Sequence, residues 1–252
     1  MDKVSKVDTV EGSQWGRVFT QDGFLKVEGL FSNDEVAAFK KQIGRILEAT
    51  RIEDSSGSVA ADGVFVGLAA RSDFFRQVAR EPRLLDVLEP ILGPNIEFLS
   101  DKVVFKGGDV EYGSPWHQDW PYWQGAHKVS VWIALDAATP ENGCLKMLPG
   151  SHREAAHHED VQTAAGEGFS LRLRPEVVDE SRAVAVPAAP GDAIFFHDQT
   201  LHASFPNRSG ADRWALISTY RSASEADLAY DWAVAAQVVR GVGKEQGMEQ
   251  SR

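Results

Sequence analysis

A chain of 252 residues with 43% hydrophobic, 10% aromatic and 25% charged residues has the make-up of an ordinary folded protein. It is long enough to bury a core in one domain, residues 1–252, of about 18 Å radius of gyration, and disorder, collagen and coiled coil are excluded as overall descriptions. Twenty-six Lys and Arg against 37 Asp and Glu leave −11, a field that repels nucleic acid and anionic lipid, so neither is expected as a partner.

The first predicted element is a short strand at Gly23-Phe24-Leu25-Lys26-Val27. Ser32 and Glu35 then have the spacing of a capping box, and Val36, Phe39, Ile43, Ile46 and Leu47 make one apolar helical stripe to about Ala49. A loop from Glu53 to Gly63 leads to a second helical region, Ser72 to Ile91, broken near Pro82 and closed by Leu92-Gly93-Pro94. Strands follow at Ile96–Phe105, Lys128–Leu135, Cys144–Leu148, Ala183–Val186, Ala193–Phe196 and Trp214–Tyr220, punctuated by Pro140-Glu141-Asn142-Gly143, Pro149-Gly150-Ser151 and Pro190-Gly191-Asp192. A helical layer before many short strands predicts an α+β protein, mainly β, with an antiparallel sandwich or barrel and helices on one face. A polar tail begins at about Gly241. No apolar run approaches the roughly 20 residues of a membrane span, and Met1-Asp2-Lys3-Val4 opens without an apolar signal core, so the expected location is cytoplasmic. The single cysteine, Cys144, agrees with a reducing compartment and excludes both an internal disulfide and a cysteine-built zinc cage.

Pro115-Trp116-His117-Gln118-Asp119-Trp120 sets an imidazole and a carboxylate two positions apart, on one side of an extended chain. His202 is the expected third ligand. His197 reads instead as a buried wall residue, and His157-His158-Glu159-Asp160 as a solvated loop. Two His and one carboxylate leave three coordination positions open, the arrangement of non-haem Fe(II) oxygenases. Arg213, eleven residues beyond His202, follows a turn through Pro206-Asn207-Arg208-Ser209-Gly210. A hairpin there would return its guanidinium to the metal, where two parallel hydrogen bonds can hold a carboxylate.

These residues, with Asp22-Gly23-Phe24, Val131-Trp132-Ile133-Ala134-Leu135-Asp136, Pro140-Glu141-Asn142-Gly143-Cys144-Leu145, Leu148-Pro149-Gly150-Ser151-His152 and Pro190-Gly191-Asp192, occur in an order that resembles the phytanoyl-CoA dioxygenase family over nearly the whole chain. The resemblance implies a double-stranded β-helix, or cupin-like jelly roll. It implies that His117, Asp119 and His202 hold Fe(II), that Arg213 holds the distal carboxylate of 2-oxoglutarate, and that Ser204, Trp132 and Lys106 stand beside that co-substrate. The implied reaction consumes O2, decarboxylates 2-oxoglutarate to succinate and hydroxylates a C–H bond. A carboxylate at Asp119, where related halogenases have a small residue, favours hydroxylation. A non-catalytic metal-binding jelly roll and a zinc hydrolase on the same ligands are the alternatives, and the zinc hydrolase gives no role to Arg213.

Trp116, Trp120, Tyr122 and Trp123, four aromatics in eight residues, are the expected wall for a small hydrophobic or amphipathic substrate. Loops from Glu53 to Gly63 and His157 to Arg174 are long enough to act as lids. Gln250-Ser251-Arg252 is not a peroxisomal tripeptide, and no basic cluster suggests a coenzyme A phosphate site.

Overall fold

A computed structural model describes residues 14–53, 63–108, 113–160, 171–174 and 178–243. Most of the Glu53–Gly63 loop, the middle of the His157–Arg174 stretch and the tail beyond 243 lie outside the described residues. The chain opens with α1 (Trp15–Asp22) and β1 (Phe24–Val27), which meet at Gly23. Gly23 has φ 80°, and its N–H closes the helix on Phe19 O at 2.8 Å. Helix α2 (Asn33–Glu53) starts as its capping box predicts, with Ser32 N–H donating to Glu35 Oε2 at 2.8 Å and Glu35 N–H to Ser32 Oγ at 3.3 Å. After β2 (Val64–Val66) come α3 (Leu68–Arg71), α4 (Asp73–Val78) and α5 (Pro82–Leu92). Pro82 opens α5 and Gly93 ends it.

The remaining α-helix and strands among the described residues are β3 (Ile96–Lys106), α6 (Trp120–Trp123), β4 (Lys128–Ala134), β5 (Leu145–Met147), β6 (Glu159–Asp160), β7 (Leu171–Arg172), β8 (Val184–Val186), β9 (Ala193–His197), β10 (His202–Ser204), β11 (Arg213–Ser222) and β12 (Gln237–Arg240). All described pairings are antiparallel. The large sheet runs β1-β9-β4-β11-β3-β12 with β2 also on β3, the small sheet runs β10-β5-β8, and β6 pairs with β7. Two facing antiparallel sheets make the jelly roll.

Side-chain alternation assigns each face of the large sheet its layer. Leu25, Phe195, Val131, Ile133, Leu216 and Val103 point outward into one core with Phe39 and Ile43 of α2, Phe75 of α4 and Leu84 and Leu88 of α5. Phe24, Ile194, Phe196, Trp132, Ala134 and Ala215 point inward against Leu145, Met147, Ala185 and Val186 of the small sheet. The helices therefore seal one face, and polar residues on the inner face can serve a site between the sheets.

Candidate active site

The segment before α6 joins the small sheet through one bridge, His117 to His202, in which each N–H donates to the other's carbonyl at 3.0 Å. The pairing sets the two imidazoles 4.1 Å apart, centroid to centroid. Asp119 reaches the same side, with Oδ1 3.7 Å from His117 Nε2 and 3.9 Å from His202 Nε2. Each ring is oriented by the carbonyl two residues before it: His117 Nδ1 donates to Pro115 O at 2.8 Å and His202 Nδ1 to Thr200 O at 2.9 Å. A carbonyl only accepts, so the ring proton sits on Nδ1 and both Nε2 lone pairs face the cluster. Burial first, and then the neighbouring His202, hold His117 well below the ordinary imidazole range, which keeps it neutral. This donor set, within 4.8 Å throughout, fits a divalent first-row ion in a facial 2-His-1-carboxylate site.

Asp119 is fixed at both ends. Its N–H donates to Asp198 O at 2.8 Å, and its Oδ2 accepts from Ser130 Oγ at 3.3 Å. Between the ligands, Gln118 turns away and staples the loop. Its Nε2 donates to Glu154 O at 3.0 Å and Gln199 O at 2.6 Å, and its Oε1 accepts from Ala156 N–H at 2.9 Å. The Gln118 N–H donates to His158 Nε2 at 3.1 Å. His158 is therefore half-buried against the metal-ligand turn, whereas composition alone placed it in a solvated loop.

Arg213 arrives by a route other than the expected hairpin. Strands β10 and β11 belong to different sheets, so the turn carries the chain across the sandwich. Buried Asn207 fixes that crossing, its Nδ2 donating to Lys106 O at 3.0 Å and Ala211 O at 2.8 Å. Arg213 then faces Lys106 in register, 3% exposed, with Nε and Nη1 buried and without a partner among the described residues. Two unpaired buried guanidinium donors are costly unless a ligand accepts from them, and a carboxylate matches both. Burial pulls Arg213 down to about 10, and its guanidinium lies 5.3 Å from the Trp132 ring.

Lys106 Nζ donates to Ser204 Oγ at 2.8 Å and to Phe205 O, and burial, then the charge of Arg213, pushes it down to about 8. Ser204 Oγ also accepts from Ser114 N–H at 2.9 Å and donates to Ser114 Oγ at 3.0 Å. Ser204 lies two residues beyond His202 on β10, so Lys106 ties the Arg213 end of the large sheet to the metal-ligand strand.

The four aromatics separate. Trp116 points to the outer side of the small sheet, where it packs with Leu148, Leu173, Leu201 and Ala203, and its Nε1 donates to Glu180 Oε1 at 2.8 Å. Strand alternation sets it opposite to His117, and the structure does not bring it to the metal ligands. Trp123 Nε1 donates to Asp198 Oδ2 at 3.2 Å, Trp120 Nε1 to Gly125 O at 3.2 Å, and Tyr122 Oη to Leu171 O at 2.8 Å.

A second convergence, His127, His197 and Asp198, is a structural knot. Asp198 accepts from His127 Nδ1 at 3.0 Å, Lys128 N–H at 2.8 Å and Trp123 Nε1, while His197 Nδ1 itself accepts from Gln199 N–H at 3.1 Å. Burial alone would raise the Asp198 carboxyl, but the donors from His127 and its other neighbours hold it down to about 2. The knot's backbone carbonyl is the one that positions Asp119.

A jelly roll carrying a facial His-Asp-His cluster and a buried arginine poised for a carboxylate defines a class, the non-haem oxygenases with a keto-acid co-substrate. Residues 19–215 match the profile described as Phytanoyl-CoA dioxygenase (PhyH), and the chain belongs to that family. It is an Fe(II)- and 2-oxoglutarate-dependent dioxygenase, an oxidoreductase. It is 28% identical, over 82% of its length and 77% of the relative's, to a probable alpha-ketoglutarate-dependent hypophosphite dioxygenase of Stutzerimonas stutzeri. It is also 28% identical to a methylphosphonate hydroxylase of Gimesia maris, covering 87% and 84%. Among solved structures, the non-heme monooxygenase ThoJ in its apo form superposes with a TM-score of 0.74 at 24% identity, covering 90% of this chain and 84% of that one, a likeness of fold.

Proposed function

We propose that this enzyme hydroxylates a C–H bond of a small amphipathic metabolite in the cytoplasm, with His117, Asp119 and His202 holding Fe(II) and Arg213 holding the distal carboxylate of 2-oxoglutarate. One observation carries the reading: the two unpartnered donors of buried Arg213 lie on the inner face of the sandwich that also holds the three convergent ligands. Iron and 2-oxoglutarate, when bound, supply the oxidant, with O2 consumed and succinate and carbon dioxide released.

The chain's own part is positional. Pro115 O and Thr200 O fix the imidazoles, Ser130 and the Asp198 carbonyl fix Asp119, and Trp132 and Lys106 flank the guanidinium. Asp119 supplies the third ligand, which supports hydroxylation over halogenation. Relatives named for hypophosphite, methylphosphonate, L-proline and ectoine support a small-molecule substrate. Cys144, buried and free, supports a reducing compartment, and among the described residues no helix is long and apolar enough to cross a membrane.

Succinate release from 2-oxoglutarate is the test. It should require Fe(II) and O2, and Arg213→Ala should raise the 2-oxoglutarate concentration needed by about 10- to 100-fold, the range for a charge-assisted pair of hydrogen bonds. An unchanged requirement in Arg213→Ala would remove the arginine from the co-substrate.

A further inference from the structure

The inner face of the large sheet carries a polar track that begins at the metal site and runs on beyond the residues that metal binding and Arg213 use. Register sets Ser130 of β4 beside Thr219 of β11, and Thr219 beside Ser100 of β3, so three hydroxyls form one row across three strands. Strands lie about 4.8 Å apart, so the row spans about 10 Å. It starts at the metal site, where Ser130 Oγ touches Asp119 Oδ2. It ends on Ser100, 5% exposed, whose Oγ is buried with no hydrogen-bond partner among the described residues. Cross-strand Ser/Thr neighbours ordinarily bond to one another, so an orphaned hydroxyl here calls for a ligand.

Lys102 stands two residues along β3 from Ser100, on the same face, paired in register with Ile217 and Val66. Among the described residues its ammonium has no ion pair or hydrogen bond. Lys102 is four residues from Lys106, about 13 Å along the strand, too far to share the carboxylate that Arg213 holds. Its neighbours at the sheet edge, Val64 and Val66, are 39% and 50% exposed and make an apolar rim.

We propose that Lys102 and Ser100 form a subsite for an oxyanion of the primary substrate, a carboxylate, phosphonate or sulfonate, with the substrate's apolar part against Val64 and Val66. The proposal rests on the oxygenase reading above and gives the amphipathic substrate its charge. Each of these oxyanions fits the pairing of one cation with a neutral hydroxyl donor, since the ammonium takes the charge and the hydroxyl donates to a remaining oxygen lone pair.

The test loads the protein with Fe(II) and 2-oxoglutarate under argon and titrates it by calorimetry with methylphosphonate, methanesulfonate and acetate, and with acetamide as the neutral control. At least one oxyanion should bind saturably and acetamide should not. Lys102→Met should weaken the bound oxyanion by about 10-fold or more, Ser100→Ala by about 3-fold or more, and Lys102→Arg should stay within about 3-fold of the parent. The affinity for 2-oxoglutarate should stay within about 2-fold in all three variants. Three results would overturn the subsite: no oxyanion bound by protein that binds 2-oxoglutarate, equal oxyanion binding in Lys102→Met, or an equal loss of 2-oxoglutarate affinity in Lys102→Met, which would put the cation on the co-substrate. Parent protein that fails to bind 2-oxoglutarate would instead overturn the proposed function.

Discussion

A neutral imidazole offers a metal only the nitrogen that its own hydrogen bond leaves free, so Pro115 O and Thr200 O are as much a part of the site as the rings they hold. At the same scale, Lys106 and Arg213 are two cations directly opposed in register, an arrangement that repels until an anion lies between or beside them. Lys106, pushed down to about 8, is charged below that pH and neutral above it. Its charge favours a dicarboxylate, so the affinity for 2-oxoglutarate should fall as pH rises through about 8, by up to about 10-fold per unit. Binding titrations between pH 7 and pH 9.5 (about the window set by that pKa) check this, with Lys106→Met expected to be flat across the range. The same slope in both proteins would assign the titration elsewhere.

Among the elements, the turns explain motifs that a string of letters leaves mute. Pro140-Glu141-Asn142-Gly143 ends on a glycine with φ 94°, where an added Cβ would lie 2.6 Å from Lys106 Cδ and 2.8 Å from Phe205 O. Only glycine allows the backbone to pass so close under Lys106. Gly143→Ala should cost about 1–3 kcal/mol of stability and weaken 2-oxoglutarate by displacing Lys106; urea unfolding and a binding titration read the two effects, and a variant matching the parent in both would show that the turn has slack. The helices α2 and α5 and the longer strands were legible because each carries its own cap or apolar period. Strand β10 was not, since His202–Ser204 is three residues long and polar at both ends. Helix α1 also escaped, as Gln14 provides no side-chain cap. His117 and Asp119 could be read from spacing because residues two apart share a face of an extended chain, whereas His202, 83 residues beyond Asp119, was found only by looking downstream for a third ligand. Lys102, Ser100 and Thr219 could not, because which face a strand residue takes depends on its pairing register, and β3 carries a bulge opposite Thr219 and Tyr220. The outward turn of Trp116, by contrast, follows from the same alternation that turns its neighbour His117 inward.

Across the molecule, a chain of net charge −11 gathers Lys102, Lys106 and Arg213 on one inner face of its large sheet while helices cover the other. Such a separation of a local positive interior from an acidic exterior suits the capture of small anions. On the proposed reading this interior binds Fe(II) through His117, Asp119 and His202 and 2-oxoglutarate through Arg213. The most direct measurement is an anaerobic titration of the Fe(II)-loaded protein with 2-oxoglutarate, followed by the visible charge-transfer band that keto-acid chelation of Fe(II) produces. A saturable band is expected, absent in Asp119→Ala and needing about 10-fold or more 2-oxoglutarate in Arg213→Ala. Iron demonstrably bound with no band at any concentration, or a band indifferent to both substitutions, would contradict it.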